Sequence, residues 1–393
     1  MRVLHVLHTS LPNVSGYSLR SNQIVSLQRR AGVDVAVATS VQQPDAAVDE
    51  LIDGVHYFRA PVQIAGRSPL REWRMMTALH ANVQRAYDAF RPHIIHAHSP
   101  VLVGLPSQKV ARRAGVPFVY EVRDLWENAS VDRGKFAAES IAYRVARALE
   151  THVLRRADAV FTIGETLRAQ LEPRARQAVT ITPNGADTDA FAPTLPDAAW
   201  QQRWNPGGGP LISYIGSFQP NEGLDVLIRA LPAIVARIAD VRVLIVGDGP
   251  ERANLQRLSD TLGVAPQVRF VGRVPHAQVR EIYAVADLLV YPRLDTLTTR
   301  LTTPLKPLEA LAMEKAVLAS DLAAMRELVT HGETGCLFEP GNPAALARAA
   351  VELLQDAPRR LRLGKQGRLV TVAERTWQQS VTQYLPVYQK LLA

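Results

Sequence analysis

The sequence predicts an α/β protein of two successive domains, each a Rossmann-like parallel sheet with helices on both faces. Three observations predict it. Strand-like apolar runs alternate with helical patterns from the start, as in RVLHVLHTS, NQIVSLQRRAG and VDVAVATS, a βαβ opening. A second series of the same kind begins at LISYIGSF and runs through LDVLIRALPAIVARI and VRVLIVG. Between the two lies PTLPDAAWQQRWNPGGGP, whose Pro and Gly content reads as a linker. A chain of 393 residues also exceeds one typical core. The expected domains are 1–195, completed by a C-terminal helix at 376–393 that crosses back to it, and 196–375. Candidate ligand residues fall at strand ends in both halves, so the domains are expected to face each other across a cleft that holds the site.

Composition narrows the function. An apolar fraction of 47% is that of a globular protein, and no apolar run is long enough to predict a transmembrane helix. The N-terminal MRVLHVLHTSLPN is β-branched and passes directly into a polar loop, which fits a first strand better than a signal peptide. The single cysteine, Cys336, excludes an intramolecular disulfide and a Cys-rich metal site, so the cytoplasm is the expected compartment. A net charge of +8 points to nucleic acid, an anionic membrane surface or anionic small substrates. The 45 Lys and Arg are spread along helical segments, with no zinc-finger spacing and no RNP-type aromatic pattern. Nucleic acid is therefore not an expected partner. Peripheral contact with an anionic membrane, at its inner face, or a phosphorylated substrate is.

In chain order, the loop after the first strand holds Ser15, Gly16 and Arg20, at the strand end where ligands of open α/β sheets bind. The three spaced glycines of a dinucleotide site are missing, and Gly16 either meets a ligand or simply turns the chain. The helix in SPLREWRMMTALHANVQRAYDAF starts with Arg71 and Arg74 beside Trp73, which suits a lipid surface, an acceptor or an ordinary solvated helix end. In HIIHAHS, His96 and His98 share one strand face and His98 lies at the carboxyl end. No Cys or carboxylate accompanies them at ligand spacing, so His98 reads as a polar pocket residue and no metal is expected. The strand VPFVYEV ends in Arg123 and Asp124, in ligand position or as a structural ion pair. A helical region at 137–156 follows, then ADAVFTIG, then AVTITPNGADTDAF with its strong turn Pro183-Asn184-Gly185.

In the second half, Gly247-Asp248-Gly249-Pro250 is a weak nucleotide signature because the third Gly is absent. TRLTTPLKPLEALAMEKAVLAS reads as loop, helix and buried strand. Lys306 and Glu309, three apart, share a helix face. Thr302 or Thr303 can serve as N-cap, and a Pro is tolerated in the first turn. Such a start is a plausible phosphate seat, or else a capped surface helix. The last segment, TWQQSVTQYLPVYQKLL, is amphipathic, with Trp377, Tyr384, Leu385, Tyr388 and Leu391 on one buried face.

ITPNGADTDAF resembles the inter-domain signature of glycosyltransferase family 4, the retaining sugar-nucleotide transferases of the GT-B fold. The order YIGSF, LIVGDGPE, VRFVGRVP, ADLLVYP, PLEALAMEKAVLAS and HGETGCLFEPG agrees with it, so the resemblance spans essentially the whole chain. Each motif alone is weak; their order is specific. SLPNVSGYSLRS, YEVRDLWENASVDRG and TPLKPLEALA are similar to transferases associated with exosortase and bacterial exopolysaccharide systems. The resemblance implies that Glu309 holds the ribose hydroxyls, that backbone around Thr302, Thr303, Pro304 and Leu305 approaches the donor sugar and diphosphate, and that Gly16 lies beneath that diphosphate. It implies His98 near the reacting sugar and Asp124 in the pocket. Arg20, Arg123, Asn184, Gly216 and Ser217 complete the expected substrate-binding set. The sequence departs from the family at three positions. Leu301 stands where a first Glu belongs, and Ser217 and Glu222 replace an Arg and a Lys expected at the diphosphate. Lys306, Arg293 and Arg300 are the candidate replacements, Lys306 the best placed.

The expected activity is therefore transfer, with retention, from a UDP- or GDP-sugar to a hydroxyl of a glycan or lipid-linked acceptor, in exopolysaccharide or cell-surface glycan synthesis. His98, Lys306 and Glu309 are its expected catalytic residues. Donor binding is assigned to the second domain and acceptor binding to the first, without cofactor or metal. Two alternatives stand beside it: a non-catalytic sugar-nucleotide-binding partner, favoured by the missing Glu and cations, and a sugar-nucleotide epimerase of the same fold.

Overall fold

The computed structural model describes residues 1–41, 49–60, 64, 66 and 68–393. It divides into two compact units, Met1–Asn184 with Trp377–Ala393, and Gly185–Thr376.

The first unit is built on strands β1 (Arg2–Leu7), β2 (Asp34–Thr39), β3 (Asp49–Ile52), β4 (Val55–Phe58), β5 (Ile94–His98), β6 (Phe118–Val122), β7 (Ala159–Thr162) and β8 (Val179–Ile181). They form one sheet in the order β3-β4-β2-β1-β5-β6-β7-β8. All pairs are parallel except the β3/β4 edge hairpin. Parallel strands covered on both faces need near-continuous apolar runs, and after Arg2 at the start of β1, β1 and β6 comply apart from His5 and Glu121, both fully buried. The covering helices are α1 (Gly16–Arg30), α2 (Leu70–Phe90), α3 (Val101–Ala114), α4 (Trp126–Asp132), α5 (Ile141–Arg156) and α6 (Glu165–Leu171). Ser15 and Ser18 form a reciprocal capping box that starts α1, leaving Gly16 exposed as its first residue. Ser140 caps α5, so the helix expected over 137–156 begins at Ile141.

The second unit contains α7 (Ala198–Trp204), β9 (Leu211–Ile215), α8 (Leu224–Val235), β10 (Arg242–Val246), α9 (Arg252–Thr261), β11 (Val268–Gly272), α10 (His276–Val285), β12 (Leu288–Tyr291), α11 (Lys306–Ala312), β13 (Ala316–Ser320), α12 (Ala323–Arg326), β14 (Cys336–Phe338), α13 (Pro343–Gln355) and α14 (Ala357–Glu374). Its sheet is all parallel, in the order β11-β10-β9-β12-β13-β14. Strand order reverses between β9 and β12, and in the first unit between β1 and β5. Ligands of doubly wound sheets bind at such switch points, beyond the carboxyl ends of the strands.

Two sequence expectations change. The division between units falls at Asn184/Gly185, not at 195/196, and the Pro- and Gly-rich stretch after it is not a free linker. Asp197 caps α7 within it, Trp204 is buried in the second unit's core and Trp200 is partly buried against it. These two aromatic side chains outweigh the local turn signals there. The C-terminal segment is also not one helix: it splits into α15 (Trp377–Thr382) and α16 (Tyr384–Leu392). Trp377, Tyr384 and Tyr388 are buried, with Leu385 and Leu391 partly buried against the first unit's core. The chain thus ends packed on its first unit.

Candidate active site

The second unit's switch point brings together the residues that the sequence singled out there. After β9, residues 216–223 form a loop pressed against the end of β12; a Cβ at Gly223, whose φ is +67°, would run into the Pro292 carbonyl. Next to it, Arg293 is buried. Its Nη1 donates to the Thr302 carbonyl at 2.8 Å, and its Nε lies 3.5 Å from the Glu222 carboxylate. One guanidinium therefore ties the loop after β9 to the loop before α11. The Tyr214 hydroxyl donates to the Ser217 carbonyl at 2.9 Å, fixing the same loop from below.

At the start of α11, Lys306 Nζ donates to Glu309 Oε2 at 2.8 Å, and the Tyr283 hydroxyl donates to the same oxygen at 3.1 Å. The Tyr291 hydroxyl holds the Lys306 carbonyl at 3.0 Å. Burial and then the Glu309 charge push the Tyr283 hydroxyl well above its ordinary pKa, so it stays a donor. Glu309 is almost enclosed, whereas the Lys306 side chain is about a quarter exposed, at 24%. The pair is thus anchored on its acid and free to move at its base. Two local expectations are corrected. The N-cap is Leu305, with no side-chain cap bond, rather than Thr302 or Thr303. Thr302 instead lends its carbonyl to Arg293, and Thr303 is buried. With seven residues, α11 is under two turns long, so its dipole is slight and the favourable charge is that of Lys306 itself. Arg300 stands apart, half exposed and clamped to Asp295 at 2.5 and 3.1 Å. Leu305 and Pro304 are partly exposed.

In the first unit the expected site residues are brought together differently. Glu121, inside β6, accepts from Arg20 Nε at 3.0 Å, Arg123 Nε at 2.8 Å and the Tyr384 hydroxyl at 2.5 Å. Burial alone would raise its pKa, but the two guanidiniums hold it well below the usual carboxylate range. Arg20 spends its other donors on the Pro183 and Thr182 carbonyls and on Asn184 Oδ1. Arg123 spends its own on the Tyr17 carbonyl, Ser21 and His98 Nδ1. Arg20, Arg123 and Asn184 are therefore structural here, not open to substrate, because an uncompensated Glu121 in a fully buried strand has to be neutralised by neighbours.

His98 is corrected in the same way: it is fully buried and both ring nitrogens meet protein atoms. Its Nδ1 accepts from Arg123 Nη2 at 2.6 Å, so Nε2 carries the proton and donates to His5 Nδ1 at 2.9 Å. His5 Nε2 then donates to Gln28 Oε1, Gln28 Nε2 to the Tyr388 hydroxyl, and that hydroxyl to His96 Nδ1 at 2.6 Å. Direction is fixed from one end to the other, with all three rings neutral. Burial, then the Arg123 charge, lowers His98 to about 3, and burial lowers His5 to about 4. His5, His96 and His98 lie close enough to suggest metal ligands. They do not fit a dication: the lone pairs at His5 Nδ1, His98 Nδ1 and His96 Nδ1 are engaged, and two guanidiniums already outweigh the one carboxylate.

More accessible groups lie at the carboxyl ends of β1 and β6. Asp124 is partly exposed and accepts from the Ser99 hydroxyl at 3.2 Å, and burial raises its pKa. His8, lowered to about 4 by burial and then by Arg133, Arg71 and Lys135, keeps a buried Nδ1 with no hydrogen-bond partner. Sequence reading missed His5, His8 and Glu121, for which a charged or imidazole side chain in an otherwise apolar run was the available signal. It placed Tyr384 on a buried helix face, but nothing local marked its bond to Glu121.

One further buried carboxylate makes a test. Glu150 on α5 accepts from the Tyr120 hydroxyl at 2.8 Å, and burial, then neighbouring Glu127, raises its pKa from 4.5 to about 8. A raised folded pKa means that the folded state binds the extra proton. Stability is then full below about pH 4.5 and is lost as pH rises toward 8. Glu150→Gln keeps the acceptor for Tyr120 and supplies an N–H near Glu127. It should flatten the fall in melting temperature between pH 5 and 8; a parallel fall in both proteins would contradict this assignment.

Two parallel-sheet nucleotide-type units in succession, with the chain's end packed on the first, define the GT-B class of glycosyltransferases. Residues 15–185 match the family model "Glycosyl transferase 4-like domain", and residues 209–356 match "Glycosyl transferases group 1". The chain belongs to this glycosyltransferase family. It is 28% identical over 402 residues, 100% of this chain and 98% of the relative, to a GDP-mannose-dependent alpha-mannosyltransferase of Mycolicibacterium smegmatis. It is also 28% identical over 390 residues, 99% of this chain and 96% of the relative, to a phosphatidyl-myo-inositol mannosyltransferase of Mycobacterium leprae. Among solved structures it shares the fold of sucrose-phosphate synthase from Thermosynechococcus elongatus, with a TM-score of 0.82, 21% identity and coverage of 100% of this chain and 99% of that one. Anabaena HepE in complex with UDP matches with a TM-score of 0.76, 17% identity and coverage of 99% and 100%.

Proposed function

We propose that this glycosyltransferase moves mannose from GDP-mannose, with retention of configuration, to a hydroxyl of a glycan or lipid-linked acceptor in bacterial exopolysaccharide or cell-surface glycan synthesis. The donor base and sugar rest on the names of the relatives. The observation that carries the reading is the second unit's switch point, where Arg293 braces two loops beside the Lys306–Glu309 pair. In transfer, the bond from C1 to the diphosphate oxygen breaks and a bond from C1 to the acceptor oxygen forms. The acceptor proton passes to the leaving phosphate. Lys306 Nζ turns from Glu309 to the diphosphate and stabilises its developing charge, while Glu309, kept in place by Tyr283, accepts from the ribose hydroxyls. Arg293 does not replace the lost cations directly. It neutralises Glu222, the carboxylate standing where the family has a Lys, and so keeps that charge from repelling the donor.

For the acceptor, Arg71, Arg133 and Lys135 around His8 favour a phosphate-bearing molecule, and contact with an anionic membrane at its inner face belongs to the same reading. No metal or cofactor takes part. Ser217 and Glu222 favour a second reading, a non-catalytic sugar-nucleotide-binding partner. Nucleotide release from a panel of donors, with and without chelator, separates them. GDP release from GDP-mannose that survives chelator is expected; release from no donor would establish the second reading, and strict loss in chelator would overturn metal independence.

A further inference from the structure

The first unit carries a second functional surface, on the solvent face of α5, made of residues to which no role has been assigned above. The solvent face of α5 bears Arg144, Arg147, Arg155 and Arg156, and none of them pairs with a carboxylate among the described residues. The helix's one acid, Glu150, is fully buried on the opposite face. The arginines line a shallow concavity with Thr151 and His152, and Arg112 of neighbouring α3 adds its charge to His152. On the same face, toward the helix start, Ile141 is 81% exposed and Val145 53%. They lie four apart and so form one apolar spot beside the cations.

A globular protein gains nothing in water from a β-branched pair left open beside unpaired arginines. The combination fits a surface with fixed negative charge over an apolar layer. Guanidiniums bind phosphate oxygens in a fork, their stems lie along apolar surface, and Ile and Val enter the acyl boundary. A nucleic-acid partner would supply the charge but no layer for Ile141 and Val145. We infer that the exposed face of α5 docks the enzyme on an anionic phospholipid bilayer. This deepens the proposed function, since it brings the enzyme to the membrane that would hold a lipid-linked acceptor. It differs from the surface expected at the start of α2, where the charge of Arg71 acts on His8.

The test is co-sedimentation of the full chain with vesicles of phosphatidylcholine alone or mixed with phosphatidylglycerol. Pelleting with the mixed vesicles only, weakened by salt, is expected. The double variant Arg144→Glu/Arg147→Glu should bind roughly tenfold less or weaker still. Ile141→Ser/Val145→Ser should also lose binding at unchanged charge, as simple counter-ion attraction would not. All four side chains are exposed, so the variants should keep the parent melting temperature, and nucleotide release should match the parent. Vesicle binding is read without turnover, so an inactive protein that still binds leaves this inference standing while overturning the proposed function. Equal pelleting with neutral vesicles, pelleting unaffected by either variant, or binding to DNA without binding to vesicles would overturn the inference.

Discussion

Lys306→Ala lowers kcat/KM by about 10²–10³-fold, mostly in kcat, while the protein stays folded. The size follows from the site's charge balance. Where the family places two cations at the diphosphate, this chain has Ser217 and Glu222, and Arg293 is occupied in neutralising the latter. Lys306 is then the mobile cation next to Glu309. Its charge matters most as the leaving diphosphate gains charge, so the loss falls on the transition state more than on donor binding. The fold survives because Tyr283 and Tyr291 hold the Lys306 carbonyl, not its side chain, and Glu309 keeps its bond from Tyr283. Arg300→Ala is the control: exposed and bound to Asp295, Arg300 should be replaceable with little effect. Activity of Lys306→Ala within a few-fold of the parent, or an equal loss in Arg300→Ala, would contradict this account.

Glu121→Ala destabilises the first unit by about 3–5 kcal/mol, measured by denaturant unfolding. Arg20, Arg123, Tyr384 and, through Arg123, the His98–His5 chain all converge on this carboxylate. Its removal leaves two buried guanidiniums without their counter-ion and frees the hydroxyl that anchors α16. A loss under about 1 kcal/mol would show that the arginines find other partners, and would remove the ground for treating Arg20 and Arg123 as structural.

Both halves of the fold were legible because their strands are short apolar runs bounded by turns, a local pattern. Glu309 and Lys306 were legible as well, since three residues on one helix face is also local. What was not legible depends on pairing across the sheet. Arg20 meets Glu121 and Asn184 from more than a hundred residues away, and this converts a set of apparent ligand residues into a buried network. The charge of Glu222, in place of a Lys, is offset by Arg293, a pairing that spans 71 positions and that no local pattern shows. The unit boundary differs because Trp200 and Trp204 pack on the second unit's core from a stretch whose composition alone signals a linker.

The most direct test of the central claim, a nucleotide-sugar donor held at the Lys306–Glu309 edge, is the thermal shift of the parent protein and of Glu309→Ala across GDP- and UDP-sugars. A donor at a hundred times its Kd adds about 2.7 kcal/mol to the state that binds it. GDP-mannose should raise the parent's melting temperature most, and that rise should vanish in Glu309→Ala. A melting temperature that no nucleotide sugar moves, or a rise that persists unchanged in Glu309→Ala, would contradict it.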